Sequence, residues 1–370
     1  MSSFKRIAVI MAGGTGERFW PLSRAARPKQ LLKLTRPDLS LLEEAIERIA
    51  PLVGYENILI ATSATVAEPI KKALAGSRIS AGNVIVEPAK RNTAGALAWV
   101  AANALARWGA EGVSMAVLTA DHAIGEPELF RKTVDAALDA AEREGALVTL
   151  GINPTRAETG YGYIEIKDAD REIGVPGISI SRVAAFREKP DRASAEQFVA
   201  AGRFFWNSGM FFWRLDSFLD ELTAASPAHG AAAAAMAEAL RAGDAPRAAA
   251  IFNALNDISI DYALMEKARH VLMARADFPW DDVGAWDALA RSFPADAAKN
   301  VTIGDPILID TRNSIVYNEP GAEKMAVAAV GVDNLIVVVS ADGVVVIPRD
   351  RAQDVKKIVA ELKLRKAGQL

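Results

Sequence analysis

The chain has 370 residues, 51% hydrophobic and 24% charged, which describes a folded protein of roughly two domains, with one or three as alternatives, and excludes a disordered one. Lys and Arg (43) nearly balance Asp and Glu (46), a formal net charge of -3, which argues against bulk binding of nucleic acid or of an anionic membrane and leaves any anionic ligand to a few placed cations. The absence of cysteine excludes disulfide scaffolds, thiolate zinc sites and cysteine nucleophiles. No apolar run reaches the length of a membrane span, and Met1 to Arg6 leads toward a strand without the apolar core of a signal peptide, so a soluble, cytoplasmic protein is expected.

Residues 7–11, 58–61, 84–86, 115–119 and 147–150 are short apolar runs, each followed by turn residues or helical periodicity, and read as buried strands. Between them, Leu42, Ala45, Ile46 and Ile49 share one helical face, Leu97, Val100, Ala101 and Leu105 another, and Phe130, Val134, Ala137, Leu138 and Ala141 a third. This alternation predicts an α/β fold: a mostly parallel sheet with helices on both faces and a ligand crevice beyond the C-terminal ends of the strands. From about Gly160 the pattern loosens into shorter strands (163–166 and 183–188) and an aromatic cluster, 204–213, that reads as core. Residues 224–250 are rich in alanine and read as helix without a functional role. Residues 294–300 resemble a linker, dividing the chain into a first domain at 1–294 and a second at 300–370. The second is β-rich, with runs at 307–309, 315–317, 325–330, 335–339 and 344–347, then an amphipathic helix at 352–364; no fixed-period repeat is visible.

The strongest chemical signal follows the first strand. Residues 11–24 read Met-Ala-Gly-Gly-Thr-Gly-Glu-Arg-Phe-Trp-Pro-Leu-Ser-Arg, and Pro28-Lys29-Gln30 come soon after. Gly13, Gly14 and Gly16 let the backbone approach a ligand and turn its N–H groups toward negative charge. A dinucleotide fingerprint needs glycine where Phe19 stands, and a Walker loop needs Lys where Glu17 stands. A tight turn alone would explain the glycines, but not the cations that follow. Arg18 can clamp phosphate oxygens and Lys29 can supply a point charge, both expected on an exposed loop.

With these motifs the sequence resembles the sugar-1-phosphate nucleotidylyltransferases, and within them the branch that joins GTP to mannose 1-phosphate. Glu17 and Phe19 depart from the family's usual Thr and Leu, and the role of position 17 stays open. Further segments agree in order: Glu87-Pro-Ala-Lys-Arg91-Asn92-Thr93-Ala, Thr119-Ala-Asp121-His122, Glu158-Thr-Gly160-Tyr161-Gly162-Tyr163, Phe186-Arg-Glu188-Lys189-Pro, Trp206-Asn207-Ser-Gly209, Ser259-Ile-Asp261-Tyr, Trp280-Asp281-Asp282-Val-Gly-Ala-Trp286, and in the tail Asp310-x-x-Asn313-Ser314.

The resemblance implies a Rossmann-like nucleotidyltransferase domain with a mixed, mostly parallel sheet, followed by a small β-helix-like domain. It assigns Arg18 and Lys29 to catalysis, and Ala12, Gly13, Gly14, Thr15, Gly16, Arg91, Asn92 and Thr93 to the nucleotide. Gly160, Tyr161, Gly162, Glu188, Lys189, Asn207 and Gly209 fall to the sugar phosphate, and Asp121 and Asp282 to Mg²⁺, with Asp281 as an alternative to its neighbour. It further implies GTP and mannose 1-phosphate as substrates, GDP-mannose and pyrophosphate as products, in-line attack by the sugar phosphate, and a homodimer. A different sugar or nucleotide, or a non-catalytic homologue, are the alternatives. Longer relatives add an isomerase domain, for which 370 residues are expected to leave no room. The three histidines (His122, His229, His270) show no zinc-ligand spacing, so no zinc site is expected.

Overall fold

Burial on both faces explains why the first strand is apolar throughout. In β1 (Lys5–Met11), Ala8 and Ile10 enter one core while Ile7 and Val9 enter another on the opposite side. The structure is a computed structural model that describes residues 4–167, 177–319 and 325–370; Met1 to Ser3, part of the expected approach to the first strand, lie outside them. Strands β2 (Ile58–Ser63), β3 (Val84–Glu87) and β4 (Val113–Thr119) run parallel to β1 in the order β3-β2-β1-β4. Helix α1 (Leu41–Val53) begins at a capping box made by Ser40 and Glu43, and α2 (Ala67–Ala73), α3 (Asn92–Trp108) and α4 (Pro127–Glu144) supply the remaining crossovers. The apolar stripes of α1 and α4 cover one face of the sheet, and that of α3 covers the other.

The second half of this region is a continuation of the sheet, which corrects the expectation of a looser segment. After the short β5 (Ala123–Ile124) come β6 (Leu147–Ile152), β7 (Tyr163–Ile166), β8 (Ile180–Arg187), α5 (Arg192–Ala201) and β9 (Phe204–Arg214). The aromatic cluster is β9 itself, an 11-residue strand inserted antiparallel between β4 and β6. Large side chains on both of its faces hide the alternation that marks a strand. Helices α6 (Leu215–Ala225), α7 (Pro227–Arg241) and α8 (Ala245–Asn253) follow, so the alanine-rich stretch is helical but interrupted, with Asp244 capping α8. Strand β10 (Val271–Ala276), which the sequence reading missed, completes a nine-stranded sheet of order β3-β2-β1-β4-β9-β6-β10-β8-β7. Seven strands point one way; only β8 and β9 are reversed. Then β11 (Trp280–Asp281) pairs with β5, and α9 (Leu289–Ser292) leads out of the domain.

The expected linker is a bonded turn in which buried Asn300 donates to Asp296 (3.0 Å) and to the Thr311 carbonyl (2.8 Å). Beyond it lie β12 (Val301–Ile303), β13 (Ile307–Ile309), β14 (Ile315–Asn318), β15 (Ala328–Val330), β16 (Leu335–Val339), β17 (Val344–Pro348) and α10 (Val355–Leu364). Here a repeat does exist: parallel pairing matches residues 21 apart, Ile307 with Ala328 and Ile315 with Ile336. Left-handed corners recur at the same offset, at Asp310 and Gly331 and at Asn313 and Asn334. Two rungs are too few to show as a sequence period.

The two parts share one core. Phe19, Trp20, Leu22, Leu32 and Trp286 pack with Ile315, Tyr317, Ile336 and Val338. Trp286 is fully buried, lies between Phe19 (5.0 Å) and Tyr317 (5.4 Å), and donates to the Trp20 carbonyl at 3.0 Å. Removing that side chain leaves a large cavity at the junction, so Trp286→Ala is expected to cost about 3–5 kcal/mol, measured by urea unfolding against the native chain.

Candidate active site

The glycine loop is shaped from beneath by acceptors turned inward. The Ala12 carbonyl accepts from Thr62 Oγ1 (3.0 Å) and Gln30 Nε2 (2.7 Å), the Gly13 carbonyl from Ser63 Oγ (3.1 Å), and the Gly14 carbonyl from Gln30 Nε2 (3.0 Å). Among the described residues no protein acceptor meets the N–H groups of Gly13, Gly14, Thr15 or Gly16, which leaves them to a ligand. Gly16 has φ +67°, and a Cβ there would lie 2.1 Å from Lys29 Cβ, so only glycine lets the loop cross this lysine. Glu17, left open above, pairs with Lys363 of α10 at 2.5 Å.

Lys29 corrects the expectation of two exposed cations. It is buried, and its Nζ donates to Asp121 Oδ2 at 2.8 Å and to the Asp282 carbonyl at 3.0 Å. Burial works against the charge of Asp121, but Lys29 and His122 outweigh it and hold this carboxyl below its ordinary range. Asp121 is therefore the ion-pair partner of Lys29. The segments that carry Asp121 and Asp282 meet because β5 and β11 pair, setting Ile124 against Trp280 and Ala123 against Asp281, and Lys29 bridges the Asp121 carboxylate to the Asp282 main chain. Trp280 Nε1 also donates to His122 Nδ1 at 3.2 Å, and burial pushes that imidazole below its usual pKa. Asp281 points elsewhere: it is paired with Arg291 and accepts from the Val283 N–H at 2.8 Å. Asp282 instead accepts from the Tyr161 hydroxyl at 2.6 Å. Arg18 reaches the same turn through the Gly284 carbonyl (3.4 Å), while its Nε and Thr119 Oγ1 are shielded from solvent without a partner among the described residues.

A cavity of about 320 Å³ opens beside Asp282. It is lined by six residues expected on the sugar side, Gly160, Tyr161, Gly162, Glu188, Asn207 and Gly209, and by Thr93. Gly162 lets Glu188 come close: a Cβ there would lie 2.7 Å from Glu188 Oε2, so a side chain would displace that carboxylate. Asn207 both donates and accepts, to Asp261 Oδ1 (2.9 Å) and from the Gly209 N–H (3.1 Å). Lys189 sits at the exposed edge with its Nζ 2.5 Å from Glu188. The cavity also holds His122, Asp261 and Trp280, to which the sequence reading gives no role.

Two expected nucleotide residues also make contacts within the protein. Arg91 donates to the Lys90 carbonyl (2.9 Å) and to that of Asn253 at the end of α8, so its guanidinium braces a helix junction. Asn92 accepts from the Thr93 N–H at 2.9 Å at the start of α3. Nearby Glu87 is a residue the sequence does not single out: it is 8% exposed, its Oε1 lies 3.6 Å from the place a Gly13 Cβ would take, and burial pushes its pKa up to about 7.

Comparison with known proteins identifies the family of each of the two domains. The nucleotidyl transferase family matches residues 7–299, and the MannoseP isomerase/GMP-like beta-helix domain matches residues 304–362. The mannose-1-phosphate guanylyltransferase of Klebsiella pneumoniae is 40% identical over 366 residues, which cover 96% of this chain and 74% of that protein. That of Salmonella muenchen is 39% identical over 97% of this chain and 74% of its own length. The chain belongs to the mannose-1-phosphate guanylyltransferase family of nucleotidyl transferases. A crystal structure from Thermus thermophilus, named mannose-1-phosphate geranyltransferase, superposes with a TM-score of 0.85 at 37% identity and covers 97% of this chain and 99% of that one. The family's fold, a nucleotidyl transferase domain followed by a β-helix-like module, is the one described above. Among the described residues no helix is long and apolar enough to cross a membrane.

The buried carboxyl of Glu87 gives this site a pH signature. A raised folded pKa favours the folded state at low pH, and that contribution is lost as pH rises from about 4.5 toward about 7. Glu87→Gln is therefore expected to gain stability relative to the native chain across that window, by on the order of 1–3 kcal/mol, and to hold a constant advantage above it. Urea midpoints taken at intervals from pH 4.5 to 8 check this.

Proposed function

We propose that this family member transfers GMP from GTP to mannose 1-phosphate, giving GDP-mannose and pyrophosphate, with the residues above in the roles that follow. The observation that carries the reading is the continuity of the site: the glycine loop rests on Lys29, Lys29 holds Asp121 and Asp282, and Asp282 is bonded to Tyr161 in the sugar-sized cavity.

A phosphomonoester has its second pKa at about 6 and is mostly dianionic near neutrality, so the sugar phosphate needs no general base to attack the α-phosphorus. The obstacle is repulsion between two polyanions. The N–H groups of residues 13–16 and the Arg18 guanidinium bind the triphosphate, and their fixed orientation stabilises charge that builds toward the departing pyrophosphate. Lys29 orients the Asp121 carboxylate, fixes the main chain at Asp282 and lends positive charge beneath the loop. Lys189, at the exposed edge, meets the sugar phosphate, while Glu188 and Asn207 accept and donate to sugar hydroxyls.

The two aspartates fit Mg²⁺, which takes one or two carboxylates together with phosphate oxygens and water, and no larger cluster of metal-ligating side chains occurs among the described residues. When bound by Asp121 and Asp282, Mg²⁺ would neutralise phosphate charge. These substrates imply a cytoplasmic reaction. Exposed Ile307, Ile309 and Val330 on the β-rich module support the homodimer implied by the resemblance.

Pyrophosphate release should be fastest with GTP and mannose 1-phosphate in a panel of nucleotide and sugar pairs; faster turnover of UTP with glucose 1-phosphate would defeat the substrate assignment. Arg18→Ala should lower kcat by about 10²–10³ with little change in melting temperature. Lys29→Ala should lower it as much and also cost on the order of 2 kcal/mol of stability, because it strands Asp121 without its cation. Paired kinetics and thermal melts separate the two lysine effects.

A further inference from the structure

Glu17 sets a carboxylate in the segment that would cradle a polyanion, and nothing in the chemistry above calls for an acid there. It opens a single 3₁₀ turn, Glu17–Phe19, directly after Gly16 and directly before Arg18. Phe19, at the far end of the turn, is fully buried against Trp286, which fixes the turn in place. Negative charge one residue from Arg18 opposes an incoming triphosphate and offers the guanidinium a rival partner.

Arg18 is open to such capture. Its Nη1 reaches the Gly284 carbonyl at a long 3.4 Å, its Nε has no partner, and no carboxylate pairs with it among the described residues. Glu17 is drawn instead to the C-terminal helix, where Lys363 Nζ donates to its Oε1 at 2.5 Å. That helix packs on the turn, and the chain beyond it is held by Trp20 Nε1, which donates to the Gln369 carbonyl at 3.0 Å. The Lys363 and Glu17 side chains are 57% and 35% exposed, and an ion pair so exposed adds little to stability. Its consequence is where it puts charge. We propose that Lys363 is a positioning residue for the nucleotide: by engaging Glu17 it cancels the acid's charge at the loop and leaves the Arg18 guanidinium to the triphosphate. This rests on the reading given under Proposed function and adds to it a residue of the β-rich module, 346 positions from its partner. The pair makes an asymmetric demand, since the acid does harm only when its cation is missing.

A double-mutant cycle on the full chain tests this, read as GTP affinity titrated without sugar and as steady-state kinetics. Lys363→Met, which keeps a long side chain and drops its charge, should weaken GTP binding about three- to tenfold and raise the KM for GTP alike, with kcat and the KM for mannose 1-phosphate within about twofold of native. Glu17→Thr, which installs the family's usual residue, should bind GTP within about twofold of native, and the double variant should return to that level. Lys363→Gln repeats the measurement should the methionine variant fold poorly. Raising the salt from about 0.05 to about 0.5 M should shrink the Lys363→Met penalty. An equal loss in both single variants would mean a clasp that merely joins helix to loop, and would overturn the proposal. Native affinity in Lys363→Met, or no recovery in the double variant, would overturn it as well. Arg18→Ala in the same titration separates two failures. If it keeps native GTP affinity, the triphosphate reading of the loop fails and the proposal falls with it. If it loses affinity while Lys363→Met does not, only the role given to Lys363 fails.

Discussion

The ammonium-bearing side chain of Lys29 belongs to a residue only 6% exposed, and a charge so placed must be met by fixed acceptors or not be formed at all. It is met by the Asp121 carboxylate and the Asp282 carbonyl, which lie far apart along the chain. Much else follows from that requirement. The loop above must present glycine at position 16, the β5–β11 ladder must bring the segments of residues 121 and 282 together, and a side chain at Gly284 would push the Asp282 carboxylate, 2.8 Å from its Cβ position, out of place. Val283, between them, is a fully buried β-branched residue at φ +46°, a conformation it holds only because its neighbours fix it.

The architecture divides labour along the rim. Parallel strands deliver the glycine loop and Asp121 at their C-terminal ends, where open α/β sheets expose backbone and charge. The reversed strand β9, its partner β7 and the reversed β8 on the far side of β7 supply amides, hydroxyls and carboxylates around the cavity. Asp282 and Tyr161 are where the two regimes touch. A hydroxyl buried beside two acids resists ionisation, and burial and Asp282 both raise the Tyr161 pKa, so this contact is a stable donor at any ordinary pH.

What the sequence shows of this site is chiefly its local chemistry. Glycines in a fixed spacing, an acid at a strand end and a Glu-Lys pair can each be read where they stand, and the family resemblance orders them. Long-range placement is another matter. Nothing near Lys29 in sequence says that it is buried, because its partners lie 92 and 253 residues away. The choice between Asp281 and Asp282 turns on the alternation of an extended segment, which sends one toward Arg291 and the other toward Tyr161. Arg91 is assigned to the nucleotide by the family resemblance alone; its contact with the carbonyl of Asn253 lies at the end of a helix the local sequence does not mention. Strand β9 reads as an aromatic patch because burial on both sides erases the period of two.

The β-rich module leans on the segment that follows the glycine loop. Lys363 pairs with Glu17, Arg24 and Trp20 both donate to the Gln369 carbonyl, and Asp342 pairs with Arg24. The two families recognised in the chain meet between residues 299 and 304, yet the apolar cluster around Trp286 runs across that seam. A chain cut there would bare Phe19, Trp20 and Leu22 on the flank of its own glycine loop. Family boundaries and packing therefore partition this molecule differently: the seam between the two matched families is crossed by one apolar core, and the last turn of the C-terminal helix is tied to the glycine loop at the other end of the chain.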